Sequence, residues 1–148
     1  MADWDPAAFT KALMADIREH GGRVTSGPMA GRTLLILTTT GAKTGQPRTS
    51  VVTYTRDGDA YVVAASKNGM PTNPAWFANL VANPTVTIET EGKTTEAKAE
   101  VALGSDRDEL WDRHVLAYPA FADYPPMTGG RVIPMIRLTP IGQTGDRT

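Results

Sequence analysis

Between Thr33 and Ser66 the chain carries three β-type runs with nothing but turns between them. Thr33-Leu-Leu-Ile-Leu-Thr-Thr-Thr40 is an unbroken aliphatic and β-branched stretch, the pattern of a strand covered on both faces. The glycine-bracketed turn Gly41-Ala-Lys-Thr-Gly45 follows and leads into Thr49–Thr55. Arg56-Asp-Gly-Asp59 then forms a tight hairpin, because Asp-Gly supplies the positive φ such turns require, and Ala60–Ser66 is the third run. Connections this short cannot hold the crossover that parallel strands need, so the three strands form an antiparallel meander.

The remaining segments extend this pattern. Asn73-Pro74 opens a helix through Trp76, Phe77 and Leu80, which stops before Asn83-Pro84. Val86–Glu91 and Thr94–Leu103 pair as a hairpin around Glu91-Gly92-Lys93. Ser105-Asp-Arg-Asp-Glu caps a helix and places acids at its positive end; that helix carries Leu110, Trp111, His114 and Val115 towards Tyr118-Pro119. Val132–Thr139 supplies a sixth strand. Six mostly antiparallel strands with interspersed helices read as a mainly β, α+β protein built on a small barrel rather than a doubly wound sheet. We assign residues 1–22 to an N-terminal amphipathic helix, 23–140 to the barrel domain and 141–148 to a loose tail. In the first of these, Asp5-Pro6 starts a helix whose Trp4, Phe9, Leu13 and Ile17 fall near helical spacing. That stripe either packs on the domain or acts as an arm that touches a membrane or covers a ligand.

A length of 148 residues suffices for one core, and a formal net charge of -1 argues against sequence-independent nucleic-acid binding, which needs a broad basic surface. With no cysteine, disulfides, thiolate metal sites and a cysteine nucleophile are excluded, and a reducing cytoplasm is expected. His20 and His114 are the only histidines and neither has a partner at ligand spacing, so no metal site is expected. No apolar run reaches the roughly 18–20 residues that span a bilayer, and the start does not read as a signal peptide.

Charge is distributed unevenly within this near-neutral total. Arg23, Arg32, Lys43, Arg48 and Arg56 lie in a stretch without a carboxylate and are expected to gather around its glycine-bracketed turn; no acid occurs between Asp59 and Glu89, whereas Glu89–Asp112 holds eight. The turn at Lys43 is not a P-loop, because position 38 is Thr and a strand rather than a helix follows. A lysine on the turn and an arginine at the next strand's start could grip an anion such as a phosphate, or could merely decorate a solvated hairpin tip. Ala64-Ala-Ser-Lys67 and Asn73-Pro-Ala-Trp-Phe-Ala-Asn79 form a second cluster, whose small residues would let a flat ring approach and whose Trp76 and Phe77 also suit plain core. Tyr118-Pro-Ala-Phe-Ala-Asp-Tyr124 either walls an apolar substrate pocket or closes one end of the barrel. No Ser-His-Asp or Cys-His arrangement is visible, as expected where a cofactor carries the reactive atom.

Together these segments resemble the deazaflavin-dependent nitroreductase and quinone reductase family. The resemblance runs from Thr33 to Pro140 through Leu-Thr-Thr-Thr-Gly-Ala-Lys-Thr-Gly-Gln-Pro-Arg48, Val-Ala-Ala-Ser-Lys67, Asn73-Pro-Ala-Trp76, Asn79-Leu-Val-Ala-Asn-Pro84 and Tyr118-Pro…Tyr124. It implies a split β-barrel of the flavin-reductase type that binds the deazaflavin coenzyme F420. By position it implies that Lys43, Thr44 and Arg48 hold the cofactor's phosphate and acidic tail. Thr49, Ser50, Val51 and Val52 would run alongside it. Ala64, Ala65, Ser66 and Lys67 would line its ring and side chain, with Ala75, Trp76 and Asn79 completing the site. Ser66, Tyr118 and Tyr124 would face the substrate. Thr53 and Phe121 stand where family nitroreductases can carry tyrosines, which favours quinone or enone reduction over nitroimidazole activation. An FMN-binding reductase of the same barrel type and a non-enzymatic carrier of an apolar ligand are the alternatives.

Overall fold

The computed structural model describes Met14 and residues 33–66, 72–90 and 93–141. The expected N-terminal helix (Met14 aside), Arg23, Arg32, Lys67 and the C-terminal tail beyond Ile141 lie outside these residues. The described elements are β1 (Leu34–Thr40), β2 (Pro47–Asp57), β3 (Ala60–Ala64), α1 (Ala75–Ala82), β4 (Thr85–Thr90), β5 (Lys93–Val101), α2 (Gly104–Ala117) and β6 (Met135–Ile141). Two 3-10 turns, Pro119–Asp123 and Pro125–Met127, follow α2. The strands close into a barrel in the order β1-β2-β3-β6-β5-β4, and β4 pairs back onto β1. Every pairing is antiparallel.

The side-chain period of two explains why β1 carries four consecutive aliphatics. Leu35 and Leu37 point into the barrel with Tyr54, Val63, Ile88, Ile136 and Leu138, while Leu34 and Ile36 form an outer cluster with Met14 and Val51. All four are 0% exposed, so the strand is sealed on both faces. The α1 helix covers the barrel core: Trp76 and Leu80, one turn apart, both join it. On the outer wall, α2 packs Leu110 over Val62, Ala64, Ile133 and Met135, with Phe121 in the same cluster. His114 is fully buried there, its Nδ1 3.1 Å from the Thr55 hydroxyl.

Element boundaries moved in ways the backbone explains. The second strand begins at Pro47 rather than Thr49, because Thr40 still has a partner there. The sixth begins at Met135 rather than Val132: Pro134 has no N–H to give, though its carbonyl accepts from Ala65. Val132 itself is exposed.

One electrostatic expectation is corrected. Arg56 does not belong to the cations around the glycine turn, since it sits at the far end of β2, eight residues from Arg48 and so about 27 Å along an extended strand. Its guanidinium lies 4.0 Å from the centre of the Tyr61 ring and donates to the Asp59 carbonyl. That end of the barrel is fastened by ion pairs instead. Arg137 on β6 grips Asp106 of α2 with two bonds of 2.6 and 2.7 Å and Asp57 of the β2–β3 hairpin at 2.7 Å. Arg113 adds a 3.1 Å bond to Asp57. The Arg137 hydrogen bonds hold both carboxyls below the usual carboxylate range.

Candidate functional site

The β1–β2 turn is folded around its own backbone. The Gly41 amide donates to the Gln46 carbonyl at 2.8 Å, the Gly45 amide donates to the Gly41 carbonyl at 2.9 Å, and the Thr44 hydroxyl accepts from the Gln46 amide. Gly41 has no room for a side chain: a Cβ there would stand 2.5 Å from the Thr44 hydroxyl and 3.2 Å from the Gln46 carbonyl. The α1 helix then straps the turn to the barrel. Asn79 Oδ1 accepts from the Ala42 amide at 2.9 Å while its Nδ2 donates to the buried Thr39 hydroxyl at 3.2 Å. One helical turn on, Asn83 reaches the Thr40 carbonyl at 3.5 Å.

Between this turn and α1 lies a cavity of about 470 Å³, within the size range of small-molecule sites. Eight of the residues expected at a cofactor site line it: Lys43, Thr44, Arg48, Thr49 and Ser50 from the hairpin, and Ala75, Trp76 and Asn79 from the helix. Gly41, Ala42 and Ala78 complete the described lining. Two cations and three hydroxyls converge there with small residues and no described carboxylate. An anionic group on an otherwise flat, apolar molecule fits such a lining.

The other expected residues are placed differently. Val51 faces outward on Leu34 and Ile36, and Val52 packs on the barrel core. Ala64 lies in the outer cluster under α2, and Ala65 in the barrel core. Ser66 ends the β3 run, nearly buried, and its carbonyl accepts from Arg131 Nη2 at 2.9 Å. The Tyr118 hydroxyl shares a 2.7 Å bond with the Thr33 hydroxyl and accepts from the Thr33 amide. Tyr124 stands edge-on to Phe121, ring centres 5.2 Å apart. Ser66, Tyr118 and Tyr124 are not in the described lining of the Lys43 cavity. Thr53 and Phe121 are buried, and Phe121 packs perpendicular to His114 at 4.5 Å.

Sequence reasoning missed Arg131. Its guanidinium donates to the carbonyls of Ala65 and Ser66 and to Asn73 Oδ1, at 2.9, 2.9 and 2.6 Å. Burial pulls its pKa below the ordinary arginine value, although a guanidinium in such company stays charged. The one sequence signal is an arginine directly after Gly129-Gly130, in a stretch that otherwise reads as plain loop.

Comparison with known proteins places this geometry in context. The F420H(2)-dependent quinone reductase family model matches residues 10–140. The F420H(2)-dependent quinone reductase Rv1261c of Mycobacterium tuberculosis is 51% identical over 79 residues, 52% of this chain and 53% of that protein. The chain thus spans about half the length of the curated relatives it matches there. A solved F420-H2 dependent reductase, FDR-A, superposes with a TM-score of 0.65 at 35% identity, covering 71% of this chain and 92% of that one. HutZ, the haem storage protein of Vibrio cholerae, superposes with a TM-score of 0.57 over 89% of this chain and 90% of that one. At 17% identity HutZ speaks for the barrel architecture alone. With a family match that runs through the barrel, the turn and α1, the chain belongs to the F420H(2)-dependent quinone reductase family.

Proposed function

We propose that this chain binds coenzyme F420 in the cavity between the β1–β2 turn and α1, and reduces a quinone with its reduced form, F420H2. Enones and nitroaromatics are the neighbouring acceptor classes. The observation that carries the reading is the convergence of Lys43, Arg48 and three hydroxyls on one cavity of about 470 Å³. Family membership supplies the cofactor's identity.

The donor set fits the group. Lys43 and Arg48 would neutralise the phosphate and acidic tail, Arg48 through a planar fork and Lys43 as a mobile point charge. Thr44, Thr49 and Ser50 would supply hydroxyl donors. Val51 and Val52 would act from behind, as strand positions that hold Thr49 and Ser50 in line. Ala64, Ala65 and Lys67 are proposed for the ring side of the site, and Ala75, Trp76 and Asn79 for its helix wall. When bound, the reduced deazaflavin supplies a hydride. The chain's part is to orient the acceptor and to support charge on its oxygen.

For that task we propose Ser66, Tyr118 and Tyr124. The Tyr118 hydroxyl is already bonded to Thr33, which suits it to aligning the aromatic loop as well as to meeting an acceptor. In this reading residues 1–22 are an amphipathic helix, 23–140 the deazaflavin-binding barrel and 141–148 a tail. The enzyme would be cytoplasmic and could approach membrane-dissolved quinones through Trp4, Phe9, Leu13 and Ile17. No helix among the described residues is long and apolar enough to cross a membrane.

The test is turnover with F420H2 and a panel of quinones, enones and nitroaromatics, beside reduced FMN as alternative donor. Quinone reduction with F420H2 and none with FMN is the expected result. Turnover with FMN alone, or none with either and co-purified lipid, would overturn it.

A further inference from the structure

We propose that Arg131 is a positioning residue that sets the acceptor side of the site in register with the cofactor side. The inference deepens the proposed reductase function and rests on it. One half-buried guanidinium ties its own loop to two other segments, the end of the β3 run and the entry to α1, which lie 58 to 66 residues before it. It holds the end of the β3 run through the carbonyls of Ala65 and Ser66 at 2.9 Å each. It holds the entry to α1 through Asn73 Oδ1 at 2.6 Å, two residues before Ala75 and three before Trp76, which line the cavity.

Its own backbone is seated on the segment after the aromatic loop. The Arg131 amide donates to the Thr128 hydroxyl at 3.0 Å, and that hydroxyl in turn lies 2.8 Å from the Pro125 carbonyl. Thr128 is 3% exposed, and Gly129 and Gly130 take positive φ of 75° and 103° to bring the arginine round. The carbonyl of Ser66 and the residue before the Pro74 N-cap of the cofactor-side helix therefore meet at the Arg131 side chain, while its backbone is tied through Thr128 to Pro125, the residue next to Tyr124. Only a planar fork with several divergent N–H groups can serve three acceptors held this way; an ammonium is a point donor and cannot span them. Misplacing an acceptor by an ångström is enough to cost about 100-fold in rate, so a residue that touches no reactant can govern turnover.

The experiment uses the full chain and three variants, Arg131→Lys, Arg131→Ala and Asn73→Ala. F420 affinity is read by cofactor fluorescence, kcat and KM with a quinone, and hydrogen exchange on the protein alone. Arg131→Lys is expected to lower kcat by about 100-fold. Its F420 Kd should rise by less than about tenfold, because Lys43 and Arg48 are untouched, so the loss in kcat exceeds the loss in affinity. Millimolar guanidinium should restore part of the Arg131→Ala turnover, whereas sodium chloride at the same concentration should not. Exchange should rise in residues 64–66 and 73–79 of both Arg131 variants, and in 73–79 alone for Asn73→Ala, with β4 and β5 unchanged. Wild-type kcat and unchanged exchange in Arg131→Lys would overturn the proposal. So would a uniform loss of stability, affinity and kcat that guanidinium does not rescue, since that is a purely structural role. If the wild-type chain itself fails to use F420H2, the functional reading falls while the exchange data still decide whether Arg131 joins the three segments.

Discussion

Asn79 makes two bonds of different kinds, and they separate on substitution. Its amide oxygen takes the Ala42 N–H, while its amide nitrogen serves a threonine that is 1% exposed. Asn79→Ala takes the donor from the buried Thr39 hydroxyl and leaves the exposed Ala42 amide to solvent, and should cost about 1–3 kcal/mol in urea unfolding. It should also weaken F420 binding, because the turn that carries Lys43 loses its strap. Asn79→Asp keeps the acceptor for Ala42 yet places a carboxylate in the cavity, so it should lose more affinity than stability. Equal binding by wild type and both variants would remove Asn79 from the site. The resemblance pointed to Asn79 at the cofactor, and the cationic pair was legible because a glycine turn without acids invites an anion. What the sequence could not show is that Asn79 acts across 37 residues on the backbone of that turn. Arg131 was out of reach for the same reason, since its partners lie 58 to 66 residues away.

At the scale of elements, α1 does two jobs with one face, since residues 76, 79, 80 and 83 follow the i, i+3, i+4, i+7 spacing. Trp76 and Leu80 fill the barrel core, and Asn79 and Asn83 fasten the turn. The start at Asn73-Pro74 and the stop at Asn83-Pro84 were readable from proline chemistry alone. That the helix covers the barrel core was not, because Trp76 and Phe77 suit any apolar contact. Leu80 is 1% exposed, so Leu80→Ala should destabilise the fold by about 2–5 kcal/mol. Denaturant unfolding checks this; a loss within a few tenths of wild type would mean the helix sits more loosely than its packing implies. The aromatic loop was read as either a pocket wall or a barrel closure. Phe121 takes neither role: it is buried on His114 in the outer cluster under α2, whereas Tyr118 and Tyr124 remain half-buried at its edges.

Across the whole molecule, a small barrel of six antiparallel strands could be read from the strand count and turn residues, but the pairings that close it could not. The pairings that shut the barrel, β3 with β6 and β1 with β4, join segments separated by helices and leave no mark in local sequence. The Asp57–Arg137–Asp106 cluster, which joins the β2–β3 hairpin, β6 and α2, was hidden for the same reason. Both carboxyls are held below their ordinary 3.8, so their contribution to stability is present above about pH 4 and is lost as pH falls through the lower folded values. Wild type should therefore melt above Arg137→Leu at neutral pH, and the gap should narrow as pH falls below the ordinary carboxyl value of 3.8. A gap independent of pH would assign the effect to packing instead.

The account depends most on Lys43 and Arg48 holding an anionic tail in the cavity beneath α1. Fluorescence titration of F420 against wild type, Lys43→Ala, Arg48→Ala and the double variant measures this directly. Each single change removes a charge-assisted bond worth roughly 1.5–3 kcal/mol, so each should raise Kd by about 10- to 100-fold, with the larger effect falling away as salt is added. Unchanged Kd in the double variant, alongside intact wild-type binding, would place the cofactor elsewhere on the barrel.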